Sequence, residues 1–110
     1  VTAGQTWRGR RVTTFGELEQ PGDYFGITTE YTGDVPAIFF LKPNARDADA
    51  PAAARSVQHV CSPPHVFEEH ADGTITISPS IGEFVRGQEH IPENSDGWHG
   101  YLERGIWRQV

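Results

Sequence analysis

Twelve glycines and eight prolines are scattered through 110 residues, and this constrains the fold more than any other feature. Proline removes a backbone donor and glycine loses more conformational freedom on ordering than any other residue, so a helical bundle would not tolerate such a density of breakers. The runs between them are rich in β-branched and aromatic residues, which suits a pleated, half-buried surface. The chain therefore reads as all-β: a small antiparallel β-sandwich or roll of about six to seven strands with an extended N-terminal arm. Its length suits one ordinary domain with a single modest core. Six Phe, three Trp and three Tyr supply much of that core's volume, because aromatic rings bury the most area per residue.

Residues 1–12 are polar and Gly-rich and read as the arm, with Trp7 as its anchor. Residues 13–110 form the β-domain. Thr13 to Gln20 is a short helical turn or a loop, and Pro21-Gly22-Asp23 is a turn. Tyr24 to Tyr31 and Val35 to Leu41 pair as a hairpin across Thr32-Gly33-Asp34. In the second of these strands Ile38 and Phe40 face one way, and Ala37, Phe39 and Leu41 the other. A strand apolar on both faces is central and covered on both sides. A long loop at 43–55, rich in Pro, Asp and Ala, follows; a loop of that length in a compact domain is mobile or used for binding. Ser56 to Cys61 is a strand stopped by Pro63-Pro64, and His65 to Glu69 resumes weakly. Ala71-Asp72-Gly73 turns into the β-branched run Thr74 to Ser78. After a polar connection at 86–96, Gly97 to Glu103 and Ile106 to Val110 close a last hairpin across Arg104-Gly105.

The formal charge is −6, which repels a phosphate backbone unless basic residues gather on one face. The one local basic cluster is Arg8, Arg10 and Arg11, and it reads as a solvated or partner-docked arm, so no nucleic-acid partner is expected. Phe39, Phe40, Phe84, Trp98, Tyr101 and Trp107 are core candidates rather than base-stacking platforms. No apolar run approaches a membrane span, and no signal-type apolar stretch stands near the N-terminus. Cys61 is the only cysteine, which excludes an internal disulfide and fits a reducing compartment.

Chemistry-bearing residues are few. On a strand His59 and Cys61 share a face, and the Pro63-Pro64 kink would swing His65 back towards them. With His99 from a later strand, His59, Cys61 and His65 would then offer zinc one tetrahedral site. The spacing lacks the paired short knuckles of the strong zinc patterns. The plainer reading is a small buried thiol among scattered histidines, so no cofactor is expected and zinc is the alternative. His65, Glu68, Glu69 and His70 lack the double-histidine spacing of a cupin-type metal cluster and suit a solvated hairpin end. Cys61 beside a histidine suggests a nucleophile and base, yet no nucleophile elbow, phosphate-binding glycine loop or helical zinc-protease pattern is present. The chain is read as a non-enzyme.

One succession of words is more specific. An apolar strand carries Cys61, a hairpin leads into Thr76-Ile77-Ser78-Pro79-Ser80-Ile81, and a Trp98-His99-Gly100-Tyr101-Leu102 run ends at Gly105. This resembles a family of small phage- and prophage-encoded proteins of unknown function with a Ser-Pro-Ser-Ile segment and a Cys-His-x-Phe-Ile-x-x-Gly ending. The likeness covers residues 56–110, and more loosely the Pro-Gly-Asp-Tyr turn and the strand at 35–41, which look like an actinobacterial-phage variant. Family members often carry a zinc-ribbon-like Cys-x-x-Cys. Here Cys61 matches its first cysteine, Pro64 stands at the second with His65 one step late, and Trp98 replaces the cysteine before His99. These departures imply a lost metal whose volume Trp98 fills, or a site rebuilt with histidine. The resemblance implies a phage context and a compact β-domain, and no reaction.

The functional expectation is a non-enzymatic, phage-type structural or interaction protein: a virion accessory or capsid-decorating (minor capsid) subunit. It would bind capsid or other phage proteins through Trp7, Arg8, Arg10 and Arg11 of the arm and Asn44 and Arg46 of the loop, and would itself be able to oligomerise. The alternatives are an intracellular effector that binds a host protein through an exposed aromatic patch, and a small His/Cys zinc protein. The corresponding location is the virion or the host cytoplasm, with no membrane partner.

Overall fold

The computed structural model describes residues 4–43, 51, 57–62, 64–82 and 98–109. They form nine strands: β1 Thr6–Arg8, β2 Arg10–Val12, β3 Asp23–Thr28, β4 Ala37–Phe40, β5 Gln58–Cys61, β6 Val66–Glu69, β7 Ile75–Gly82, β8 His99–Glu103 and β9 Ile106–Gln109. One 3-10 turn spans Phe15–Glu17. The strands make a five-stranded sheet in the order β1-β9-β8-β7-β6 and a four-stranded sheet in the order β2-β3-β4-β5. No helix among the described residues is long and apolar enough to cross a membrane.

Side-chain alternation closes the two sheets face to face. Ile75, Ile77 and Ile81 of β7, Leu102 of β8, Trp107 of β9 and the adjoining Trp98 point inwards from one sheet, and Tyr24, Ile38 and Phe40 from the other, as one buried cluster. Four aromatic side chains interlock around Trp107, which meets Trp98 edge-on at 5.3 Å, Phe40 at 5.1 Å and Tyr24 edge-on at 6.4 Å. Trp98 lies over Gly100, where an added Cβ would stand 2.5 Å from the indole.

A second, smaller core sits on the far face of the four-stranded sheet. Val12, Leu18, Phe25 and Leu41 are buried there against Phe15, Phe39 and Val57. Strand β4 is thus covered on both sides, Ile38 and Phe40 facing the main core and Phe39 and Leu41 the second, as its two-faced apolar pattern predicts.

The N-terminal segment departs from expectation. Residues 6–12 are not an arm but the two additional strands that raise the count from seven to nine. β1 pairs antiparallel with β9, and β2 runs parallel to β3, the one parallel pair among the described residues of a sandwich expected to be antiparallel throughout. The chain changes sheet at Gly9, whose amide donates to Gly105 O at 2.7 Å. A Cβ there would lie 2.8 Å from Trp107 Nε1 and 3.0 Å from the Gly105 and Gly22 carbonyls, so the corner closes only around a residue without a side chain. The last hairpin turns through Arg104 and Gly105, both in the left-handed region at φ 49° and 78°, the conformation that matches the twist of a two-residue hairpin.

Candidate functional site

The residues expected to meet a partner through the arm are engaged within the domain. Trp7 sits opposite Trp107 in the β1–β9 register and packs on the main core. The Arg10 side chain donates from Nη2 to Asp23 Oδ2 at 2.7 Å and from Nε to Oδ1 at 3.2 Å. That hydrogen bond and the carboxylate's charge raise the Arg10 pKa above its ordinary value. Asp23 is itself buried, and its Oδ2 also accepts the Glu19 and Gln20 amides at 3.1 and 2.9 Å. A buried carboxylate needs such partners, and here they fasten the 13–22 connection to the sheet. Arg11 crosses towards the other sheet, donating to Gly73 O at 3.0 Å and pairing with Glu69. Gly26 leaves the room for it, since a Cβ there would come within 2.7 Å of the guanidinium. All three arginines remain exposed residues, Arg8 on β1 and Arg10 and Arg11 on β2. The arm conformation is corrected accordingly: residues 6–12 are paired strands, and Trp7, Arg10 and Arg11 make contacts that tie them to the sandwich. Asn44, Arg46, Phe84, the connection at 86–96 and nearly all of the 43–55 loop lie outside the described residues.

The four proposed zinc ligands do not meet. His59 stacks on Phe39 at 5.3 Å on the outer face of the four-stranded sheet, where Cys61 is half-buried and free. His65 instead donates from Nε2 to Ser80 O at 3.1 Å, and His99 Nε2 lies 3.0 Å from Ser80 Oγ. The chain turns after Cys61, with His65 N donating to Cys61 O at 3.0 Å, and leads into β6 on the other sheet. Among the described residues no three His, Cys, Asp or Glu side chains gather as a metal would require. Trp98 is buried in the core, with its Nε1 unpartnered among the described residues.

A different surface stands out. Four large hydrophobic side chains are exposed among the described residues, and three of them belong to the β3–β4 hairpin: Ile27 at 42%, Tyr31 at 51% and Val35 at 40%. The Tyr31 ring rests on Phe15 at 5.3 Å, Phe39 at 5.4 Å and Phe25 at 6.3 Å, and His59 prolongs this aromatic row through Phe39. The turn beneath Tyr31 is fixed locally. Thr28 Oγ1 accepts the Glu30 amide at 3.0 Å, Thr32 N donates to Thr29 O at 3.3 Å, and the Thr32 hydroxyl donates to Val35 O. Exposed Glu30 and Asp34 flank the ring in the turn, and exposed Glu17 and Glu19 lie on or beside the 3-10 turn that carries Phe15. Hydrogen bonds from the Thr14 and Thr13 hydroxyls hold the Glu17 carboxyl below its usual range. The surface is an apolar, aromatic knuckle with an acidic border.

Sequence reasoning missed this knuckle because Tyr31 reads as the end of a strand. The signal was available: a tyrosine followed at once by the Thr32-Gly33-Asp34 turn has no strand partner left to cover it. Comparison with known proteins adds no relative: no protein-family model matches the chain, and no curated protein or solved structure matches it significantly.

Proposed function

We propose that this chain is a non-enzymatic interaction protein of phage type, a virion accessory or capsid-decorating subunit, and that it docks on a protein partner through the β3–β4 hairpin face. The observation that carries the reading is the concentration of exposed Ile27, Tyr31 and Val35 on one internally fastened hairpin. An aromatic side chain held half out of water above a bed of other rings offers large contact area with little conformational freedom to lose. The phage setting rests on the resemblance of residues 56–110. The face replaces the arm as the docking element, because Trp7, Arg10 and Arg11 are bound within the domain.

The same observation favours one second reading, an intracellular effector that uses this aromatic face to bind a host protein. A photo-crosslinking residue at Tyr31 separates the two in infected cells. Crosslinks to a capsid protein in purified virions support the decorating role. A chain absent from virions and crosslinked to a host protein supports the effector. A chain that yields neither crosslink, while the same probe at Arg8 does, refutes the hairpin face as the docking surface.

A further inference from the structure

The outer face of the five-stranded sheet, remote from the hairpin, carries a groove of about 730 Å³, a volume in the range of small-ligand sites. It crosses the strands. Thr6, Arg108 and Tyr101 stand in one row, since β1 pairs Thr6 with Arg108 and β8 pairs Tyr101 with Arg108. Ile106 and Glu103 are paired in the next row, and Thr76 is paired with Glu68 on the far side.

The floor is built before any ligand arrives. The Arg108 guanidinium lies 4.6 Å from the centre of the Tyr101 ring and donates from Nη2 to Glu103 Oε1 at 2.7 Å. Two planar groups are thereby held in place, and the rest of the guanidinium fork has no partner among the described residues. Thr76 Oγ1 accepts the Arg104 amide at 3.0 Å and meets His70 Nε2 at 2.7 Å, which fixes the imidazole at one end. The Glu68 carboxylate, the Arg104 guanidinium and the Ser78 hydroxyl line the groove and make no side-chain hydrogen bond or ion pair among the described residues.

The charges select the ligand. The lining holds two arginines, Arg104 and Arg108, and two glutamates, Glu68 and Glu103, so their formal charges cancel on a chain of net charge −6. Among the lining side chains an anion meets no surplus cation, the nearest further one being Arg8 beside Ile106 at the groove's edge, and it feels the acidic field of the whole chain; a cation meets no surplus carboxylate among them. A neutral molecule that both donates and accepts hydrogen bonds, and has apolar C–H faces to lay on Tyr101 and Ile106, uses every group present. We propose that this groove binds a neutral saccharide.

The test is a titration of the isotope-labelled full chain with glucose, galactose, N-acetylglucosamine and short oligomers of each, followed by amide and tyrosine-ring chemical shifts. Glucuronic acid and glucosamine serve as the charged arms. A saturable shift confined to β7, β8, β9 and Tyr101 is expected for at least one neutral sugar. Its affinity should fall about tenfold or more in Tyr101→Ala and in Glu68→Gln. Glu68 is exposed at the sheet edge, so its variant carries the test if Tyr101→Ala fails to fold. Three results each overturn the assignment: no saturable shift with any neutral sugar, saturation by the charged sugars alone, or an affinity unchanged in Glu68→Gln.

Discussion

Trp98 and Trp107 are both buried, and they touch each other edge-on at 5.3 Å, yet their indole N–H groups fare differently. Trp107 Nε1 donates to Gly22 O at 2.7 Å inside the core. Trp98 Nε1 is buried without a partner among the described residues. Replacing either by Phe removes a comparable part of the ring, which costs about 1 kcal/mol as a fraction of full truncation. Trp107→Phe also strands a buried carbonyl, adding about 1–3 kcal/mol. Trp98→Phe removes a donor that was already unsatisfied, so it adds no such penalty and relieves part of the packing loss. Trp107→Phe should therefore be the less stable variant by about 1–3 kcal/mol. With a urea m-value of about 1.5 kcal/mol/M for a domain of this size, the two midpoints should differ by about 1–2 M. Urea unfolding followed by far-UV circular dichroism reads this difference, and a common m-value shows that both variants unfold from comparable states. A Trp98→Phe midpoint equal to or below that of Trp107→Phe would refute the argument, because the hydrogen bond to Gly22 would then contribute nothing beyond packing.

Two further outcomes test the corner and the hairpin end. Gly9→Ala puts a methyl 2.8 Å from Trp107 Nε1 and 3.0 Å from two carbonyls; thermal unfolding should show a loss of about 1–3 kcal/mol, and an unchanged midpoint would mean that the sheet-to-sheet corner is slack. At the β6–β7 turn Asp72 Oδ1 accepts both the Thr74 amide, at 3.0 Å, and the Thr74 hydroxyl, at 2.6 Å, and these bonds lower its pKa. A folded-state value below the unfolded one gives stability that is present above the unfolded pKa and is lost as pH falls through the folded one. Protection of the Thr74 amide from hydrogen exchange, after correction for intrinsic rates, should therefore decline on acidification in the parent chain and stay level in Asp72→Asn.

The sandwich itself was legible because its inward residues alternate. Ile75, Ile77, Trp98, Leu102 and Trp107 follow the period of two that a half-buried strand imposes, and the two-faced run at 37–41 marked β4 as interior. The first two strands were not legible for the opposite reason. Arg10 and Arg11 carry no apolar alternation; their pairing is decided by Asp23, Glu69 and the open edges of the two sheets, all distant in sequence. The histidine set failed on the same ground. A shared strand face brings His59 and Cys61 together, but whether His65 turns back to them or on to Ser80 depends on which sheet the chain enters after Pro64.

Those long-range pairings also decide which surfaces are left for function. Strong cationic and aromatic groups near the N-terminus suggested an outward-facing arm, yet a buried carboxylate such as Asp23 requires a cation, and Arg10 supplies it. Trp98 and Trp107 similarly turn inwards because a sandwich this small needs bulky rings to fill the space between its sheets, whereas Tyr101, also a core candidate in the sequence, takes the outward position between buried Gly100 and Leu102. What remains outside is determined by subtraction: the hairpin tip, where Tyr31 passes the last pairing position of β3 and finds only the edge of the second core to lie on, and the outer five-stranded face, where every second residue of β7, β8 and β9 must point away from the core. The first is apolar with an acidic border, and the second is polar and charge-balanced. Two surfaces of such different chemistry call for different ligands, so a change at Tyr31 should leave the groove's binding untouched, and Glu68→Gln should leave the hairpin's docking untouched.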